Sequence, residues 1–181
     1  MKLRQFLALA LAGALLGMLV ASIWKWQQQT HPVEADQSAS GKTLPDFTLP
    51  NIDGSQWRAE EWRNRILVIN FWATWCPPCT REMPMFNRLQ QDFADRDVVF
   101  VGIAVDDAEA VKKFVREKGI GFPVLLGETR AMDLMVRLGN RFNALPFTIV
   151  VDHGGRVILQ QFGELDEQEL RSLLEKVTQG H

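Results

Sequence analysis

A chain of 181 residues accommodates one domain with some additional sequence. It is 46% hydrophobic and 23% charged with a formal net charge of -2, so it lacks the concentrated positive charge of a nucleic-acid binder. Its two cysteines exclude a framework of several disulfides and leave room for a single bond.

The chain starts with a short basic stretch, Met1-Lys2-Leu3-Arg4-Gln5, followed by the uncharged run FLALALAGALLGMLVASIW at residues 6–24. As a helix this run reaches about 28 Å, close to the ~30 Å hydrocarbon core of a bilayer. It is longer than the apolar region of most secretory signals, and no clean A-x-A cleavage site follows it. Trp24 and Trp26 around Lys25 have the character of an interfacial anchor, and Val20-Ala21-Ser22 offers only a poor cleavage site. Residues 1–26 therefore read as a membrane anchor or signal segment, with the uncleaved anchor favoured. In either form Lys2 and Arg4 stay inside and the rest of the chain is exported, which places the protein at the inner (cytoplasmic) membrane, facing the periplasm. Residues 27–42, QQQTHPVEADQSASGK, are polar and read as a flexible linker spanning roughly 20–24 Å.

From residue 43 to the end the pattern is mixed α/β. DFTL and QWRAEEW flank a turn at Asp53-Gly54 and predict an N-terminal hairpin. ILVINFWA at residues 66–73 is a continuous apolar run, as in a strand buried on both faces. PCTREMPMFNRLQQDFA has helical spacing through Met83, Phe86, Leu89 and Phe93, with a kink expected at Pro84. VVFVGIAV at residues 98–105 is a second buried strand, after which Asp106 or Asp107 caps a helix ending at Gly119. FPVLL at residues 122–126 is a short strand, and TRAMDLMVRLG at residues 129–139 a helix. PFTIVVD and VILQQFG flank the turn His153-Gly154-Gly155 as an antiparallel hairpin, and DEQELRSLLEKVTQ closes the chain as an amphipathic helix. This order describes a mixed central sheet with helices on both faces.

Both cysteines lie in FWATWCPPCTREMP. Cys76 follows the first buried strand almost directly and so falls at a helix N-terminus, where free amides and the macrodipole favour an anion. A thiol in such a place has a lowered pKa and is the better nucleophile, while Cys79, one turn further on, resolves a mixed disulfide. A zinc site needs about four ligands, and the histidines are only His31, His153 and His181. A purely structural disulfide would close a very small loop with little entropic benefit. Copper delivery lacks a supporting Met or His cluster. Redox catalysis is the reading that remains. Pro77 and Pro78 have no N–H, so two amides that would stabilise a Cys76 thiolate are missing. This favours the disulfide and a low reduction potential, the property of an electron donor.

The segment ILVINFWATWCPPCTREMP resembles the active-site strand, turn and kinked helix of the thioredoxin superfamily. The leader, LPDFTLPNIDG and ALPFTIVVDHGGRV are similar to its membrane-tethered TlpA/ResA-like branch, with an inserted helix and strand near residues 107–126. LPDFTLPNIDG also resembles peroxiredoxins, whose P-x-x-x-T-x-x-C pattern is absent. NALPFTIV departs from the G-x-P-E-T-F segment of the sub-branch dedicated to cytochrome c maturation. The resemblance implies a thioredoxin fold, a cis peptide bond at Leu145-Pro146 facing Cys76, and a Leu145 backbone that pairs with extended substrate. It also implies a proton-transfer role for Glu82, because Asn70 occupies the strand position where thioredoxins carry an aspartate. Trp75 is expected at the surface beside Cys76 as part of the partner-binding site, with Trp72 in the core.

The function that follows is an exported thiol–disulfide oxidoreductase that reduces disulfides in other exported proteins through Cys76 and Cys79. An oxidase of the same fold, or a chaperone or metal carrier using the pair only for binding, are the rival readings. No cofactor and no resident metal is expected, because the chain carries no nicotinamide or flavin motif. The resemblance implies recharging by a membrane-embedded thiol electron donor.

Overall fold

The computed structural model describes residues 41–179. The expected anchor at residues 1–26, and the linker up to residue 40, lie outside the described residues. Among the described residues no helix is long and apolar enough to cross a membrane.

Strands β1 (Thr48–Pro50) and β2 (Gln56–Arg58) pair antiparallel, with Leu49 opposite Trp57. The turn between them is closed by Asp53, whose carboxylate accepts from the Ser55 amide and hydroxyl. A 3-10 turn, Ala59–Trp62, takes up the AEEW part of the segment read as hairpin. The main sheet contains β3 (Ile66–Trp72), β4 (Val98–Ala104), β5 (Val124–Leu126), β6 (Phe147–Val151) and β7 (Val157–Phe162), in the order β5-β4-β3-β6-β7. β3, β4 and β5 run parallel, whereas β6 is antiparallel to β3 and β7 to β6. Every residue of β3 and β4 is buried, which explains their unbroken apolar sequence.

Alternate residues of β3 separate the core into two halves. Ile66, Val68 and Trp72 pack with residues of α1 (Pro77–Asp92), α2 (Ala108–Lys118) and α4 (Glu167–Thr178), among them Met83, Phe86, Val111 and Leu170. Leu67, Ile69 and Phe71 pack with Ala131, Leu134 and Met135 of α3 (Glu128–Arg137), and with Leu49 and Trp57 of the hairpin. The helix α1 continues through Pro84 as one element. The inserted pair, α2 and β5, adds the far edge of the sheet. α2 ends at Gly119 in the left-handed region (φ 61°), a conformation that suits glycine.

One close approach fixes the end of β3. A Cβ on Gly102 of β4 would lie 2.9 Å from the Trp72 indole nitrogen and 3.3 Å from the Phe122 ring. The glycine therefore makes room for the indole, which is fully buried and packs against Phe114.

Candidate active site

Strand β3 delivers the site to one end of the sheet. After Trp72 the chain turns through Ala73-Thr74-Trp75, and Cys76 becomes the N-cap of α1 with extended backbone (φ -97°, ψ 101°). The first amides of a helix have no partner within it. Here the first two helical residues are Pro77 and Pro78, which carry no N–H, and the Cys79 amide donates to Cys76 Sγ at 3.4 Å. The sulfur thus keeps one backbone donor, where the sequence alone indicated only the two that are missing.

Cys76 and Cys79 are joined as a disulfide, with their Cα atoms 5.3 Å apart. Cys79 is fully buried and Cys76 is 5% exposed. Trp75 is 66% exposed beside them. The turn before Cys76 is held from the end of the adjacent strand β4, because the Thr74 amide donates to Asp106 Oδ2 at 2.8 Å and its hydroxyl donates to the same oxygen. This separates two neighbouring aspartates that the sequence left equivalent. Asp107 caps α2, accepting from the Glu109 and Ala110 amides at 3.0 and 3.1 Å, while Asp106 braces the cysteine turn.

Glu82 lies one turn beyond Cys79 on α1, a spacing that puts both on one face of the helix. It is 5% exposed. Its Oε1 accepts a short hydrogen bond from the Leu165 amide, and its Oε2 is buried with no hydrogen-bond partner among the described residues. Burial is the main influence on this carboxyl and raises its pKa from 4.5 to about 7. The Leu165 amide and Arg81 pull in the opposite direction, and Glu164 adds to the rise. Asn70 has a different task. It is buried in β3 and donates to Thr148 Oγ1 at 2.9 Å, a cross-strand bond between non-titrating groups.

The Leu145-Pro146 peptide is cis. Phe147, the first residue of β6, pairs with Phe71 near the end of β3, so Pro146 sits at the same end of the sheet as Cys76. The Pro146 carbonyl accepts from the Gly163 amide at 2.9 Å. Leu145 is half-buried and packs against the cluster that contains Cys76 and Cys79. Among the described residues no backbone hydrogen bond engages its amide or carbonyl.

All six residues singled out in the sequence thus lie in or beside the elements at this end of the sheet. Sequence reasoning missed Asp106, Gly163, Glu164 and Leu165. The Asp106-Asp107 doublet after a strand was a signal for the first. The others act through backbone amides or a surface charge some eighty residues from Glu82 and Arg81, and nothing local marks them. Among the described residues no group of three His, Cys, Asp or Glu side chains is placed to hold a metal ion.

The sequence profile of the AhpC/TSA family matches residues 40–160. Over 139 residues the chain is 30% identical to the thiol-disulfide oxidoreductase ResA of Bacillus thuringiensis, covering 76% of this chain and 78% of that protein. It is also 30% identical over 172 residues to ResA of Geobacillus kaustophilus, covering 93% and 95% of the two chains. A solved thiol:disulfide interchange protein of the thioredoxin family from Chlorobium tepidum matches with a TM-score of 0.67 at 27% identity, over 78% of this chain and 99% of that one. The cysteine pair at a helix cap and the relatives agree, and the chain belongs to the AhpC/TSA family of the thioredoxin superfamily as a thiol–disulfide oxidoreductase.

Proposed function

We propose that this oxidoreductase is exported, held at the membrane by residues 1–26, and reduces disulfides in other exported proteins. The observation that carries the direction of the reaction is the cap of α1. Two prolines remove amides that would stabilise a Cys76 thiolate, and a single amide remains on the sulfur. A less stabilised thiolate favours the disulfide form of the enzyme, and so favours giving electrons away.

In the reduced enzyme the Cys76 thiolate attacks a substrate disulfide, forming a mixed disulfide and expelling one substrate thiolate. Trp75 offers that partner an exposed apolar platform, and the unengaged Leu145 backbone offers an extended segment one amide and one carbonyl. Glu82 then takes the proton of Cys79, whose sulfur attacks Cys76 Sγ. The second substrate thiolate leaves and is protonated, and the enzyme ends as its disulfide. Two enzyme thiols are oxidised and one substrate disulfide is reduced to two thiols. A carboxyl with a pKa of about 7 suits this exchange of protons near neutral pH. The disulfide is reduced again by a membrane-embedded thiol donor, in keeping with the apolar run at residues 6–24.

Insulin reduction with dithiothreitol as donor, with Cys76→Ser as control, tests catalysis. The reduction potential tests direction: a value near about -120 mV would make the protein an oxidant. Cys79→Ser freezes the mixed disulfide and identifies the substrate. Reporter fusions after residue 42 test export, and a cytoplasmic reporter signal would overturn that part.

A further inference from the structure

Between β7 and α4 the chain makes two backbone contacts with the site, two residues apart. The Gly163 amide donates to the Pro146 carbonyl at 2.9 Å, and the Leu165 amide donates to Glu82 Oε1. Between them Glu164 points outward to Arg81, the neighbour of Glu82 on α1. Arg81 Nε and a terminal guanidinium nitrogen approach Glu164 Oε1 at 2.8 and 2.7 Å. Leu165 itself is buried in the same cluster as Cys76 and Cys79. A short loop is therefore fastened at three successive residues: to the strand end that carries Pro146, to the surface of α1, and to the buried acid.

We propose that Arg81 and Glu164 form a positioning pair that holds the Gly163–Leu165 loop on α1, and so keeps the Leu165 amide on the Glu82 carboxylate. This rests on the proton-transfer reading of Glu82. The ion pair is exposed, with 62% and 46% of the two side chains accessible, so its direct contribution to stability is small. Its effect is exerted through an amide that, among the described residues, is the sole hydrogen-bond donor to a buried carboxyl whose other oxygen has no partner there. The charges acting on Glu82 are Glu164 from this loop and Arg81 from its own helix; on the adjoining α4, Asp166 is occupied as a helix cap and Glu167 pairs with Arg88.

The signs of two neutralising variants separate positioning from charge. If Arg81 and Glu164 act only through their charges, Arg81→Gln raises the pKa of Glu82 and Glu164→Gln lowers it. If they hold the loop, each variant loosens the Leu165 amide, and that loss raises the pKa in both. The measurement is the carbon-13 shift of the Glu82 carboxyl against pH in the oxidised protein, for the parent, both single variants and the double variant. The expected result is an upward shift of about half a unit or more in all three variants, with melting temperatures close to the parent. Opposite shifts in the two single variants, or no shift, would overturn the proposal. Glu82→Gln, assayed by the pH profile of insulin reduction, tests the proton role separately. An unaltered profile there removes that role, while the carboxyl titration still reports whether the loop is held.

Discussion

Two helices of this protein begin in the same sheet end region and are capped in opposite ways. Asp107 caps α2 with a carboxylate that accepts two amides, from Glu109 and Ala110. Cys76 caps α1 with a sulfur that accepts one, because Pro77 and Pro78 occupy the next two positions. At α2 the partially positive helix end is satisfied as fully as a side chain allows, and the result is stability. At α1 it is left poor in donors, and its capping atom is free to change its bonding. The same local device serves anchorage in one helix and chemistry in the other, and the difference at the cap is the missing N–H of Pro78, at the position from which Glu109 donates to Asp107.

The largest effect expected from this contrast is at the caps themselves. Cys76→Ser abolishes insulin reduction, whereas Asp107→Ala leaves the turnover rate within a factor of about two, since it removes a cap and no reacting atom. An Asp107→Ala protein that folds but is inactive would break the distinction. Next comes the acid behind the reactive cap. The unfolded Glu82 carboxyl loses its proton near pH 4.5 while the folded one keeps it to about pH 7. The folded state thus binds more protons in that window, and stability falls as pH rises through it, then levels off. Glu82→Gln removes this slope and is more stable at pH 8 by up to about 3 kcal/mol, read from urea unfolding of the oxidised protein at pH 5, 7 and 8. A parent-like slope in the variant would show that the cost of burying this charge lies elsewhere.

A smaller effect sharpens the role of the prolines. Pro78→Ala restores an amide at the second helical position, where a cap side chain accepts. The thiolate gains a donor, and the reduction potential rises by about 30 mV, equivalent to about 1.4 kcal/mol. An unchanged or lower potential would mean that the deleted amides do not govern the couple. Last is the price of the conventional cap: Asp107→Ala lowers stability by about 1 kcal/mol with no change in potential.

Much of this was legible because it depends on local pattern. The all-buried strands β3 and β4 announce themselves as apolar runs, and Cys76, Cys79 and Glu82 follow from spacing along one helix face. Boundaries moved where a proline intervened. FPVLL reads as a strand from residue 122, yet β5 begins at Val124: Pro123 has no amide to donate, although its carbonyl still accepts from Gly102 of β4. Tertiary partners were not legible. That Asp106 would turn to Thr74 and leave Asp107 as the cap depends on how β3 and β4 align. That Leu165 would supply a donor to Glu82 depends on the path of a loop, and a backbone amide leaves no trace in residue type.

The missing side chain at Gly102 carries a hereditary consequence. Trp72 stands four positions before Cys76 and is seated only because the neighbouring strand offers no side chain at that point. Residues 72 and 102 are therefore one unit of inheritance, although they belong to different strands. With the indole in place, a methyl at position 102 would press on its nitrogen, and one of the two must shift. Once a lineage exchanges Trp72 for a smaller side chain, the same methyl becomes acceptable, and the return path to tryptophan is closed for as long as it remains. The order in which the two codons change decides whether the approach to the cysteines survives the journey.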